Sequence, residues 1–224
     1  MLEQEIKEFL LSRGVSDVGF ACIDNADTGE LKSCVSIVVR LSDAIVDEIT
    51  DKPTPTYFHH YRTVNAFIDR CLLELGLFLN SKGYNYITIG ASQSMPGTPF
   101  NGRYSHKEAA RKSGLGGIGK NSMFIHRKHG TRVRLGTLFT DCPLEGEGEM
   151  TDNLCTGCDR CVKACPSGAI LGRSYEPGIK REEMFSPAVC SEYMKKQFQH
   201  IGRGAVCGIC MRVCPLCKGG AENG

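Results

Sequence analysis

The chain has little net charge, no long apolar run and no leader-like start. A formal charge of +2 over 224 residues gives no bulk positive field for wrapping nucleic acid. No apolar stretch reaches membrane-spanning length, so no membrane partner is expected. The opening Met1-Leu-Glu-Gln-Glu-Ile-Lys-Glu8 is acidic and helical in pattern. It lacks the basic segment, apolar core and cleavage site of a secretory leader, and no twin arginine is present. The expectation is a protein of the reducing cytoplasm, where clustered cysteines hold metal rather than pair as disulfides. A hydrophobic content of 41% suffices for a substantial core.

Cysteine is plentiful, at 13 residues, and its spacing is the most informative pattern. The run Cys155-Thr-Gly-Cys158-Asp-Arg-Cys161-Val-Lys-Ala-Cys165-Pro166 is echoed by Cys207-Gly-Ile-Cys210-Met-Arg-Val-Cys214-Pro215. This is the arrangement of a protein with two [4Fe–4S] clusters, in which the last Cys of each run ligates the other cluster. Superposing the runs places Gly204 opposite Cys155, which leaves the second run one thiolate short. Cys190 is the sole cysteine between the runs. The assignment is therefore Cys155, Cys158, Cys161 and Cys214 for one cluster, and Cys165, Cys190, Cys207 and Cys210 for the other, with Cys217 as rival ligand. Structural zinc is the competing reading, since thiolates at Cys-x-x-Cys spacing also make tetrahedral zinc sites. Three evenly spaced cysteines, a fourth and then proline, twice over, suit cubane clusters better.

More chain precedes the cysteines than a ferredoxin needs. The Gly-rich, acidic stretch 145–153 reads as a linker between an α+β domain, 1–144, and a ferredoxin-like domain, 154–217; residues 218–224 read as a frayed tail. Leu2, Ile6, Phe9 and Leu10 recur at helical spacing before Gly14. Val15 to Ile23 and Cys34 to Leu41 read as buried strands. A long helix follows Pro53 and Pro55, through Phe67, Leu72 and Leu79 to near Gly83. Tyr84 to Gly90 reads as a strand, His106 to Ser113 as a helix, and Thr131 to Thr140 as a strand or hairpin. Strands and helices do not alternate regularly, so the fold class is α+β.

The loop Ser113-Gly-Leu-Gly-Gly-Ile-Gly-Lys-Asn121 lets backbone approach a ligand closely and offers it N–H groups, with a tight structural turn as the equal alternative. A helix precedes it and no Ser or Thr follows Lys120, so it is neither a Rossmann nor a Walker loop. Taken in order, Gly114 to Asn121, Leu135-Gly-Thr-Leu-Phe-Thr-Asp141 with Pro143-Leu144, and the two-cluster module with isolated Cys190 resemble epoxyqueuosine reductases and, more distantly, reductive dehalogenases. The resemblance runs from about Leu2 to Cys214. It implies a nitroreductase-like corrinoid-binding domain followed by a bacterial-ferredoxin-like domain that reduces the cobalt. In that layout Gly114, Gly116, Gly117, Gly119, Lys120 and Asn121 line the site of a cobalamin. The proton-donor aspartate of the family has no counterpart in Thr98-Pro-Phe-Asn-Gly-Arg-Tyr104, and the chain stops ten residues after Cys214, so tRNA is not the expected substrate.

Tyr104, beside His106 and Lys107, is the candidate proton donor, because a phenol can donate from an apolar pocket; ordinary core filling is its bland alternative. Tyr57, His59, His60, Tyr61 and Arg62 form a second polar, aromatic cluster suited to the same cavity or to a solvated helix start. His126 to His129 with Arg132 and Arg134 reads as a solvated basic loop able to steer an acidic donor. Cys22, Cys34 and Cys71 read as core, and Cys142 as buried near a cluster. The expected function is an oxidoreductase that takes electrons from a low-potential donor such as a ferredoxin or flavodoxin and passes them through two [4Fe–4S] clusters to a corrinoid. The alternative is a non-catalytic electron carrier or reductive activator. The substrate and any homodimer are left open.

Overall fold

The computed structural model describes residues 2–146, 148, 154–155, 157–202 and 206–218. It divides into two compact units, each assembled from three segments. The first comprises Met1–Arg40, Thr63–Leu115 and Arg134–Thr151; the second comprises Leu41–Arg62, Gly116–Val133 and Asp152–Gly224. The sequential split at 145–153 is corrected in this respect: two earlier segments join the cysteine-bearing one. Composition marks exposed stretches, whereas membership of a unit depends on contacts distant in sequence. Most of 145–153 and of 218–224 lies outside the described residues. Glu145 and Gly146 hold to the first unit, through a hydrogen bond from the Glu145 N–H to Glu3 Oε1 at 3.1 Å and close packing of Gly146 on the Phe20 backbone.

The first unit is built on a four-stranded sheet in the order β1-β2-β6-β3, with β1 Asp17–Cys22, β2 Ser33–Arg40, β3 Tyr86–Ile89 and β6 Val133–Thr140. The pairs β1–β2 and β3–β6 are antiparallel, with Asp17 opposite Val38 and Tyr86 opposite Thr140. Helices α1 (Leu2–Leu11) and α3 (Pro55–Ser81) lie side by side: Phe9 stacks on Phe78 at 5.0 Å, and Arg13 pairs with Glu74 at 2.7 Å. Thr54 accepts a hydrogen bond from the Tyr57 N–H at 3.1 Å, and Pro55 needs no donor at the first helical position. A Cβ on Gly136 of β6 would stand 2.5 Å from Ile68 Cγ2 and 3.0 Å from Leu72 Cδ1, so α3 seats directly on the sheet. Helix α4 (His106–Lys112) covers the opposite face, where Ala109 packs with Phe139, Cys34, Ala21 and Ile89. Cys34 and Cys71 are buried as expected, whereas Cys22 is exposed. It is the last residue of β1, beyond the four buried positions Val18 to Ala21.

The second unit holds the first turns of α3, helix α2 (Asp43–Asp47), a small antiparallel pair β4 (Gly116–Ile118) and β5 (Phe124–His126), and four helices of the cysteine region. These are α5 (Arg160–Ala164), α6 (Arg181–Met184), α7 (Pro187–Phe198) and α8 (Ile209–Arg212). The glycine loop is thus a strand, a turn and a strand. Arg132 is fully buried and pairs with Asp43 at 2.9 Å and with Asp47. The reading of His126 to His129 with Arg132 and Arg134 as a solvated basic loop is corrected at Arg132, whereas Arg127 and Lys128 are exposed. His126 is also buried, and its Nδ1 accepts from the N–H groups of Lys128 and His129 at 3.2 and 3.1 Å. A buried cation needs paired carboxylates, which composition alone cannot reveal.

Candidate metal centres

The two cysteine runs occupy equivalent places on two short helices. Cys158 precedes α5, Cys161 lies within it and Cys165 follows it; Cys207 precedes α8, Cys210 lies within it and Cys214 follows it. Cys190 sits in the first turn of α7, whose start is fixed by Pro187 and by Ser186 accepting from the Val189 N–H.

Cys155, Cys158, Cys161 and Cys214 line one small cavity, together with Gly119, Lys120, Asn121, Ile125, Pro215 and Leu216. These are three thiols of the first run and the last thiol of the second. Among the other four, Cys165 disfavours ionisation of Cys190, Cys207 and Cys210. Burial, then the charges of Cys207 and Cys165, push Cys190 up to about 11. Burial, then the charges of Cys207, Cys190, Cys165 and, from the first run's cavity, Cys161, raise Cys210. In the first group, burial raises Cys214 to about 11, with Cys155 and Cys161 adding to it. Crowded, desolvated thiols of this kind release protons when metal binds. Cys165 goes the other way. Burial works against its thiolate, but hydrogen bonds from the Ser167 hydroxyl and from the N–H groups of Ser167, Ala169 and Ile170 outweigh burial. Among the described residues, no three Cys, His, Asp or Glu side chains converge on a point suited to a single ion.

Lys120, which the resemblance assigns to a cobalamin site, borders the thiol-lined cavity. Its side chain is 10% exposed and donates to Oδ1 of the exposed Asp159 at 2.8 Å. The hydrogen bond it donates to Asp159, and the nearby Cys155 and Cys161, raise its pKa. Asn121 Nδ2 donates to the Cys210 carbonyl at 3.3 Å. The other residues of the loop serve its own geometry. Gly114 has φ +71°. Gly116 and Gly117 lie in β4, and a Cβ on Gly116 would run into the Ile125 carbonyl. A Cβ on Gly119 would stand 2.9 Å from Ile125 Cδ1.

Tyr104 packs edge-on against Phe139, with ring centroids 5.3 Å apart, beside the apolar cluster of the first unit. His106 is bound at both ring nitrogens, Nδ1 to Thr137 Oγ1 at 2.8 Å and Nε2 to the Gly90 carbonyl at 3.2 Å. A carbonyl only accepts, so Nε2 carries the proton and Nδ1 accepts from the hydroxyl. In the second unit, Tyr57 packs on Gly208, and His60 Nε2 accepts from the Ser42 N–H at 3.1 Å. Cys217 is buried, with its Sγ 3.6 Å from Arg132 Nη2. Cys142 is buried in the first unit at the end of β6.

Residues 154–216 match the model of a 4Fe-4S double cluster binding domain. The epoxyqueuosine reductase of Listeria monocytogenes is 31% identical over 127 residues, 53% of this chain and 31% of that protein. That of Leadbetterella byssophila is 33% identical over 108 residues, 47% of this chain and 35% of that protein. The matches thus span about a third of these relatives' length. A crystal structure of selenomethionine-labelled epoxyqueuosine reductase superposes with a TM-score of 0.68 at 20% identity, covering 96% of this chain and 65% of that one. A reductive dehalogenase structure, described as suggesting a mechanism for B12-dependent dehalogenation, gives 0.75 at 17%, covering 95% and 31%. No helix among the described residues is long and apolar enough to cross a membrane. The chain therefore resembles epoxyqueuosine reductases in sequence and fold, and reductive dehalogenases in fold, around a 4Fe-4S double cluster binding domain.

Proposed function

We propose that this chain is an iron–sulfur oxidoreductase whose two [4Fe–4S] clusters deliver low-potential electrons to a corrinoid. The observation that carries this reading is that Cys214 of the second run shares a cavity with Cys155, Cys158 and Cys161 of the first. Cys155, Cys158, Cys161 and Cys214 would hold one cluster, and Cys165, Cys190, Cys207 and Cys210 the other. Cys214 shares a cavity with the first run, and Cys165 acts electrostatically on Cys190, Cys207 and Cys210, as the crossed arrangement requires. When bound, the clusters supply one-electron carriers and the corrinoid a reducible cobalt. The residues of the chain supply thiolates, exclude water around them and place the Lys120 ammonium beside one set. The corrinoid, with a nitroreductase-like first domain, rests on the likeness to epoxyqueuosine reductases and reductive dehalogenases.

Anaerobically prepared protein should carry about eight iron and eight sulfide per chain; about four after full reconstitution would sink the two-cluster reading. Reduced cobalamin added to cluster-loaded protein should change its corrinoid spectrum. No change would favour a second reading, an electron carrier or reductive activator that docks a partner protein. One observation already supports that second reading: the space in front of Gly116 and Gly119 is filled by Ile125, so these glycines are needed by the loop itself.

A further inference from the structure

An open groove lies against the other side of the thiol-lined cavity within the second unit. It is lined by Arg160, Lys163, Ala164, Arg212, Val213, Cys214, Pro215 and Cys217. Cys214 and Pro215 border both the groove and the cavity of Cys155, Cys158 and Cys161. Cys214 and Pro215 therefore form the wall between this surface and the thiol-lined cavity. Arg160 and Lys163 are exposed on α5, and Arg212 and Lys218 stand on the groove's flank, sharing Asp47 at 3.2 and 3.1 Å. Arg132 also pairs with Asp47, and Lys120 with Asp159. The groove itself carries Arg160, Lys163 and Arg212 and no carboxylate, and Lys218 stands beside Arg212 on the shared Asp47, so the exposed charge lining it is positive on a chain that nets only +2.

We propose that this groove is the docking surface for an acidic one-electron carrier protein. The inference rests on the iron–sulfur reading above. Complementary charge steers such a carrier and raises its association rate. The groove then brings it against Cys214, whose sulfur leads directly into the cavity. One electron leaves the reduced carrier, which is oxidised, and enters the cluster held behind Cys214, which is reduced; no bond forms or breaks and no proton is required. The floor of the groove carries no aromatic side chain on which a nucleic-acid base could stack, so a protein carrier suits it better than an RNA.

The test compares wild-type, cluster-loaded protein with the double variant Arg160→Glu/Lys163→Glu in stopped-flow reduction. One reductant is an acidic flavodoxin in its reduced form; the other is a photoreduced deazaflavin, small and uncharged. The variant should react about tenfold or more slowly with flavodoxin at low salt, and the dependence of its rate on ionic strength should flatten. Iron content and the deazaflavin rate should stay unchanged. Equal flavodoxin rates in the two proteins would overturn the proposal. So would loss of tRNA binding in the variant with carrier reduction intact, which would assign the groove to nucleic acid. If wild-type protein accepts electrons from neither reductant, the iron–sulfur reading fails and the docking surface falls with it.

Discussion

At the scale of single residues, the ligand set is decided by Cys190 and Cys217, the two cysteines outside the repeated spacing. Cys217 is held 3.6 Å from the buried Arg132 guanidinium, and the cavity of the first thiol group is bounded by Cys214 rather than by Cys217. Cys190 interacts with Cys207 and Cys165. Cys190→Ser should therefore cost one cluster, leaving about four iron per chain, while Cys217→Ser keeps both; the reverse pattern in iron analysis and low-temperature EPR would overturn the assignment. Lys120 sets up a second prediction. A cation beside the thiol cavity stabilises the more negative, reduced state of whatever group those thiols hold, and reduction potential follows local charge. Lys120→Met should lower the potential of one cluster by on the order of 50 mV, about a tenfold change in a one-electron equilibrium, with Lys120→Arg close to wild type. The partly exposed Asp159 offsets some of this charge. An unchanged potential in a spectroelectrochemical titration would show that the lysine serves packing alone.

At the scale of elements, Gly136 and His106 fix how helices sit on the two faces of the sheet. Gly136 leaves room for Ile68 and Leu72 of α3, so Gly136→Ala should cost about 1–3 kcal/mol by overpacking, read as a lower urea midpoint at unchanged slope. His106 ties α4 to β6 and to the end of β3 through Thr137 and Gly90. Burial, only partly opposed by the bond to Gly90, lowers its pKa from 6.5 to about 4. The unfolded chain takes up the proton at a higher pH than the folded one, so stability is full above pH 6.5 and declines as pH falls towards 4. The loss should amount to roughly 2–3 kcal/mol. His106→Gln, which stays neutral throughout, should lack that part of the slope. Identical pH dependence in variant and wild type would place the titration elsewhere.

At the scale of the whole molecule, the sequence is legible where chemistry or local periodicity writes it and silent where distant segments combine. Cysteine spacing was enough to propose two crossed ligand sets, because each run carries its own pattern. The helix from Pro55 was visible from its apolar repeat and its proline start, and Gly14 marked the end of α1 through its left-handed turn, with φ +96°. By contrast, Arg132 reads as one more charge in a basic stretch, since the carboxylates that bury it, Asp43 and Asp47, lie some 85 to 89 positions away. Glycines 116 and 119 offer the same signal whether a ligand or Ile125 fills the space before them. The consequence is a specific expectation for iron removal. Metal–thiolate bonds form only in the folded state and so contribute to folding free energy. In the second unit, segments Leu41–Arg62 and Gly116–Val133 depend on the cysteine region: Thr131 bonds the Leu216 and Met211 carbonyls at 3.3 and 3.2 Å, and Asn121 bonds the Cys210 carbonyl. Chelating the iron should therefore speed amide exchange in 41–62 and 116–133 along with 154–218, while β1, β2 and β3 stay protected by their own sheet and by α3. Exchange mass spectrometry on holo and apo protein separates the outcomes. Loosening confined to residues after 153 would restore the sequential division, and a uniform rise across all strands would mean that the two units fold as one.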